Sequence, residues 1–106
     1  MKEVTVQDLK EKRDNKEDFV LIDVREHFEY EVSNLNGTHI PMGNIHSKLD
    51  ELKEKKDEEL IIMCRSGARS GNVTQFLEAQ GFSNVSNLKG GITAWAREIE
   101  PGMEVA

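Results

Sequence analysis

Cys64 is the residue of this sequence best placed to act as a nucleophile. It follows the apolar run Leu60–Met63 and opens the segment Cys-Arg-Ser-Gly-Ala-Arg-Ser, residues 64–70. The reactive form of a cysteine is the thiolate, and a free thiol with a pKa of about 8.5 is mostly protonated at neutral pH. The chemistry of this segment therefore depends on whether its neighbours stabilise a sulfur anion.

Three features of the segment favour the anion. Arg65 and Arg69 bring two permanent positive charges close to Cys64 in sequence. A helix that we predict to begin at about Ser70 directs its free N–H groups and its dipole toward the loop. The remaining loop residues are small, which allows their amides to turn inward around an anion: Ser66, Gly67 and Ala68. A cysteine that ends an apolar strand is often an inert buried residue, but this combination predicts a catalytic Cys64 with a substrate-binding loop over residues 65–70.

Length and composition limit the kinds of protein that this chain can be. Its 106 residues suit a single domain over residues 1–106, and 37% hydrophobic with 32% charged residues is typical of a globular chain. The net charge of −6 disfavours binding to nucleic acid or to an anionic membrane surface. A lone cysteine cannot form an intramolecular disulfide, and the N-terminus has no signal-peptide-like apolar stretch. We therefore expect a cytoplasmic protein.

The pattern of apolar residues predicts alternating helices and strands. Thr5 and Asp8 form a possible capping box that opens a helix through about Arg13. The apolar runs and their spacing predict strands over 19–22, 38–40, 60–63 and 84–88. They predict helices over 26–32, 45–52 and 92–99, and one further helix that ends at Gly81. This alternation indicates an α/β domain around a mostly parallel sheet. Ligands of such sheets bind beyond the carboxyl ends of the strands, where Asp23 and Cys64 both lie in sequence.

Asp23 and Arg25 are supporting candidates beside the predicted site. They can contact substrate, or Asp23 can accept hydrogen bonds from a loop while Arg25 pairs with a carboxylate; neither is required as a general base once the thiolate has formed. The three histidines, His27, His39 and His46, have no spacing typical of a metal site. We predict a structural role for His39 and exposed positions for the other two.

Four motifs resemble those of the rhodanese family of sulfurtransferases in its single-domain form, and the resemblance covers nearly the whole chain. Leu21–Glu26 begins at the end of the first apolar run and continues beyond it, and Gly37–Pro41 is close to the family's Gly-His-Ile-Pro but carries Thr38 as an insertion. The other two motifs are the 64–70 segment and residues 88–92, with Trp95 following as a predicted core residue. Gly90 and Gly91 in the last motif allow the backbone to pass close to the loop.

The resemblance implies a parallel sheet of about five strands with helices on both faces. It implies that Cys64 takes a sulfane sulfur from thiosulfate or a similar small anion, holds it as a persulfide and passes it to cyanide, a thiol or a protein acceptor. No metal or organic cofactor is implied. The sequence does not determine the oligomeric state.

Two other functions remain open for the same segment. Relatives that act as phosphatases have a longer loop with five residues between the cysteine and the arginine, whereas four separate Cys64 from Arg69. A phosphoryl group needs a wider ring of amides than a single sulfur atom, so the shorter loop favours sulfur transfer. The second alternative is a non-catalytic binding module, and the presence of Cys64 weighs against it because many such modules have lost the cysteine.

Overall fold

The computed structural model describes all residues, 1–106, and consists of a five-stranded sheet with helices on both faces. The strands are β1 (Lys2–Val4), β2 (Val20–Asp23), β3 (Thr38–His39), β4 (Leu60–Met63) and β5 (Val85–Leu88). The helices are α1 (Val6–Asp14), α2 (His27–Val32), α3 (Ile45–Lys53), α4 (Ala68–Ala79) and α5 (Gly91–Glu98), with a 3-10 turn over Met42–Asn44. The predicted α/β class and the sheet of five strands are confirmed.

All strand pairs are parallel, and the order across the sheet is β1-β5-β4-β2-β3. The central strand β4 is completely buried because its side chains alternate between two apolar cores. Leu60 and Ile62 lie in the core that α3 and α4 cover, and Ile61 and Met63 lie in the core that α1 and α5 cover. The carboxyl end of β4 is therefore held from both faces, which makes it a rigid support for the residue that follows.

Most predicted elements are present with small shifts at their ends. The Thr5 hydroxyl accepts a hydrogen bond from the Asp8 amide at 3.1 Å and the Asp8 carboxylate accepts one from the Thr5 amide at 2.9 Å, so the capping box is formed. The helix expected to begin at about Ser70 begins two residues earlier, at Ala68. The sequence patterns also missed β1, because only Val4 of its three residues is buried and so no alternation is visible.

Candidate active site

Cys64 lies directly after β4, between the carboxyl end of the central strand and the start of α4. Cys64 is 1% exposed and belongs to the apolar core beneath α4. Three groups donate hydrogen bonds toward its Sγ: the Gly67 amide at 3.1 Å, the Ser70 amide at 3.4 Å and the Ser70 hydroxyl at 3.2 Å. The loop therefore places hydrogen-bond donors around the sulfur, which agrees with the inward-facing amides expected from its small residues.

These donors determine the acidity of the thiol. Burial acts to raise the pKa of Cys64, but it is outweighed by hydrogen bonds from the Ser70 hydroxyl, the Ser70 amide, and the amides of Gly67 and Ser66. The net result is a pKa below the usual value for cysteine, so more of the sulfur is present as thiolate at neutral pH.

The start of α4 explains why the amides are available. Gly67 precedes the helix with φ of +105°, a left-handed conformation that favours glycine and allows its N–H to face the sulfur. The first backbone bond of the helix runs from the Gly71 amide to the Gly67 carbonyl at 2.9 Å. Ser70 lies in the first turn, where N–H groups have no partner within the helix, and its amide donates to Sγ instead.

The two arginines of the loop donate hydrogen bonds to groups other than the sulfur of Cys64. The Arg69 guanidinium donates two hydrogen bonds to Glu29 of α2, at 2.7 and 2.9 Å. Arg65 is exposed, and its Nε donates to the Ala106 backbone oxygen at 2.8 Å. Neither arginine donates a hydrogen bond to Cys64, although the thiolate contributes, after Glu29, to raising the pKa of Arg69. The groups that most lower the pKa of Cys64 are hydrogen-bond donors of the loop itself, from Ser70, Gly67 and Ser66.

Asp23 and Arg25 form an ion pair whose side chains are both fully buried. Arg25 donates from Nε to Asp23 Oδ1 at 3.1 Å and from Nη2 to Oδ2 at 2.9 Å, and it also donates to the Ser33 carbonyl at 2.8 Å. The Asp23 carboxylate further accepts a hydrogen bond from the Arg25 amide at 3.0 Å. This arrangement matches the structural alternative for the two residues. The pair anchors the segment that leads from β2 into α2.

Sequence reasoning missed two residues beside the loop, Glu29 and Asn87. Asn87 lies in β5, adjacent to β4, and it is 2% exposed. Its Oδ1 lies 2.6 Å from the Ser70 hydroxyl oxygen and shares the single hydroxyl proton with Sγ of Cys64, and its Nδ2 donates to the Gly67 carbonyl at 3.1 Å. A polar residue near the carboxyl end of a predicted strand of a parallel sheet was an available signal for Asn87. Glu29 has no such signal, because only the tertiary fold brings α2 to Arg69.

The start of α5 holds the other side of the loop. The amides of Ile92 and Thr93 donate to the carbonyls of Cys64 and Arg65, each at 3.0 Å. This contact requires Gly91, which has φ of +57° and lies where a Cβ atom would come within 2.4 Å of the Cys64 carbonyl oxygen. The predicted close approach of the glycine motif to the loop is therefore present.

The histidines and Trp95 occupy positions consistent with their predicted roles. His39 Nε2 lies 2.7 Å from the Arg25 carbonyl and its ring stacks on Tyr30, whereas His27 and His46 are exposed. Trp95 is 6% exposed and packs in the core beneath α5. None of these residues contributes a hydrogen bond to the sulfur of Cys64.

Comparison with known proteins identifies the family. The family model described as the rhodanese-like domain matches residues 5–98 of this chain. The chain is 43% identical over 102 residues to the Bacillus subtilis protein named "Putative sulfurtransferase YtwF", with 95% of this chain and 96% of that protein covered. It is 36% identical to a protein named "Sulfurtransferase" from Allochromatium vinosum, with 93% and 92% of the two chains covered. The chain belongs to the rhodanese-like domain family.

Solved structures agree with this assignment. The crystal structure of a rhodanese-like domain protein from Staphylococcus aureus is 33% identical and superposes with a TM-score of 0.83, covering 100% of this chain and 99% of that one. Some relatives are longer: the chain spans 26% of MoeZ from Mycobacterium tuberculosis, to which it is 32% identical. No helix of the structure has the length and hydrophobicity needed to cross a membrane.

Proposed function

We propose that this protein is a sulfurtransferase that carries a sulfane sulfur as a persulfide on Cys64. The observation that supports this most directly is the set of three hydrogen-bond donors around a buried sulfur whose pKa is lowered. Membership of the rhodanese-like family and the names of the relatives support the same reaction class. We infer that the donor is thiosulfate or a similar sulfane-sulfur compound and that the protein works in the cytoplasm.

The first half of the reaction loads the sulfur. The Cys64 thiolate attacks the outer sulfur of thiosulfate, a new S–S bond forms, and the S–S bond of the donor breaks with its electron pair leaving on sulfite. One negative charge on the thiolate becomes one negative charge on the persulfide, so no proton is required. The amides of Gly67 and Ser70 lie where they can donate to an anionic sulfur before and after this step.

The second half of the reaction transfers the sulfur from Cys64 to an acceptor. A nucleophilic acceptor such as cyanide, a thiol or a cysteine of another protein attacks the outer sulfur of the persulfide. The Cys64–S bond breaks and its electron pair returns to Cys64 as thiolate. The hydrogen bonds to Sγ stabilise this leaving group, because they lower the pKa of the thiol that is re-formed.

The intact mass of the protein tests the proposal. After incubation with thiosulfate, or with polysulfide as a second donor, wild-type protein should gain the mass of one sulfur atom, and addition of cyanide should remove it and release thiocyanate. Cys64→Ser should gain nothing, because Cys64 is the sole cysteine of the chain. Absence of both the mass gain and thiocyanate with either donor would refute the proposed function.

A further inference from the structure

One of the two arginines in the loop over residues 64–70, Arg69, is paired with an acidic residue from another element. Arg69 contacts both oxygens of the Glu29 carboxylate, at 2.7 and 2.9 Å. The Glu29 side chain is 7% exposed and that of Arg69 is 33% exposed, so the pair is partly shielded from water. Glu29 is itself held in place, because its Oε1 also accepts a hydrogen bond from the Glu26 amide at 2.9 Å.

The pair remains charged under ordinary conditions. Hydrogen bonds from Arg69 lower the pKa of Glu29 to about 2, and hydrogen bonds to Glu29 raise the pKa of Arg69. The positive charge of Arg69 is therefore balanced before any substrate arrives. Arg65 is the other cation of the loop, and it is exposed.

The charge of the sulfur donor determines how strongly the neutralisation of Arg69 by Glu29 affects its interaction with the loop. Thiosulfate is a dianion, and its leaving group sulfite is a dianion as well. The persulfide of a small uncharged thiol reacts at its outer sulfur in the protonated form, which carries no net charge. A carboxylate close to the loop therefore repels thiosulfate, whereas it exerts no net Coulomb repulsion on the protonated persulfide.

We propose that Glu29 is a positioning residue that, by holding and neutralising Arg69, disfavours dianionic donors and gives this protein a preference for small-thiol persulfides over thiosulfate. This inference rests on the proposed function, since it concerns the donor of the same sulfur-transfer step. With such a donor, the Cys64 thiolate attacks the outer sulfur of the protonated persulfide. The S–S bond of the donor breaks, the donor thiol leaves as thiolate, and Cys64 keeps the outer sulfur with its proton.

Glu29→Gln tests the proposal with little change in shape. Glutamine keeps one oxygen, which can accept from Arg69 and from the Glu26 amide as Oε1 does now. Glu31→Gln is the matched control, because it removes the same charge from the same helix at an exposed position that pairs with His27 rather than Arg69. The measured quantity is kcat/KM for loading sulfur onto Cys64 from thiosulfate and from the persulfide of 2-mercaptoethanol.

The two donors should respond differently. Because only thiosulfate carries a net charge in the reacting form, Glu29→Gln should raise its kcat/KM by about tenfold and leave that of the protonated persulfide unchanged within about twofold. The gain should fall mainly on KM, and Glu31→Gln should change neither donor appreciably. Arg69→Gln should act in the opposite direction and lower the thiosulfate value more than the persulfide value, because it leaves Glu29 unbalanced.

The outcomes separate this inference from the proposed function. If wild-type protein takes up sulfur from neither donor, the proposed function fails. If it takes up sulfur but Glu29→Gln changes both donors by the same factor, or Glu31→Gln reproduces the effect, the role of Glu29 is refuted. The Arg69→Gln protein supplies an independent measurement if Glu29→Gln does not fold, and equal losses with both donors would overturn the proposal.

Discussion

Replacing Gly91 by alanine should displace the loop over residues 64–70, because the added Cβ would overlap the loop backbone. The side chains of the loop remain unchanged. The added Cβ would lie 2.4 Å from the Cys64 carbonyl oxygen and 2.5 Å from that of Arg65, with the Arg65 carbonyl carbon at 2.7 Å. All three are backbone atoms, which cannot rotate away as the end of a side chain can. Either the loop or the start of α5 must move.

The size of the effect follows from two contributions. A left-handed conformation, here φ of +57°, costs about 1–2 kcal/mol for a residue with a Cβ. Relief of the backbone overlap costs about 1–3 kcal/mol more, in the range of overpacked sites. We expect a loss of about 3 kcal/mol in the free energy of unfolding, or roughly 15 °C in Tm for a chain of this size.

Two control variants isolate the contributions. Gly81 has φ of +94° but no atom within 4 Å of its would-be Cβ, so Gly81→Ala should show the conformational cost alone, about 1 kcal/mol. Gly43 has neither a positive φ nor a close neighbour, and Gly43→Ala should be nearly neutral. Thermal unfolding followed by circular dichroism measures stability in all three variants.

The same proteins should differ in the reactivity of Cys64. Movement of the loop lengthens the hydrogen bonds to Sγ, so Gly91→Ala should slow alkylation of the thiol by iodoacetamide at neutral pH by about tenfold, which corresponds to about 1.4 kcal/mol. Gly81→Ala should leave this rate unchanged. If Gly91→Ala is no less stable than Gly81→Ala and its thiol reacts at the wild-type rate, the argument that α5 supports the loop is incorrect.

Three further predictions concern single side chains. Ser70→Ala should raise the pKa of Cys64, because the Ser70 hydroxyl is the largest of the groups that lower it, and a titration of thiolate absorbance should shift to higher pH; an unchanged titration would contradict this. Arg25→Met should cost about 3–5 kcal/mol by leaving Asp23 charged and buried alone, measured by urea unfolding; a loss below about 1 kcal/mol would show that the pair is not needed. The pKa of Glu29 in the folded protein is about 2, below its ordinary 4.5. The difference in free energy of unfolding between wild type and Glu29→Gln should therefore be complete above pH 4.5 and decline as the pH falls toward 2. A difference independent of pH would refute this prediction.

Sequence reasoning predicted the inward-facing amides around Cys64 because the signals for them are local. An apolar strand, a cysteine at its end, small loop residues and a following helix are consecutive in the chain, so their mutual arrangement depends on few intervening residues. The amide donors to Sγ come from within residues 64–70 for this reason. The charges were harder to place, because a long side chain can reach several partners and sequence does not show which one is near.

The sequence by itself determined the alternation of helices and strands, the position of Cys64 at the end of a buried strand and the spacing of the loop. Tertiary structure alone decided the partners from distant segments. Glu29, forty positions from Arg69, balances its charge, and Asn87, seventeen positions from Ser70, accepts a hydrogen bond from its hydroxyl. These contacts exist because parallel pairing places β5 beside β4 and because α2 packs against the loop, and hydrophobic patterns encode such packing without naming the polar partners that it brings together.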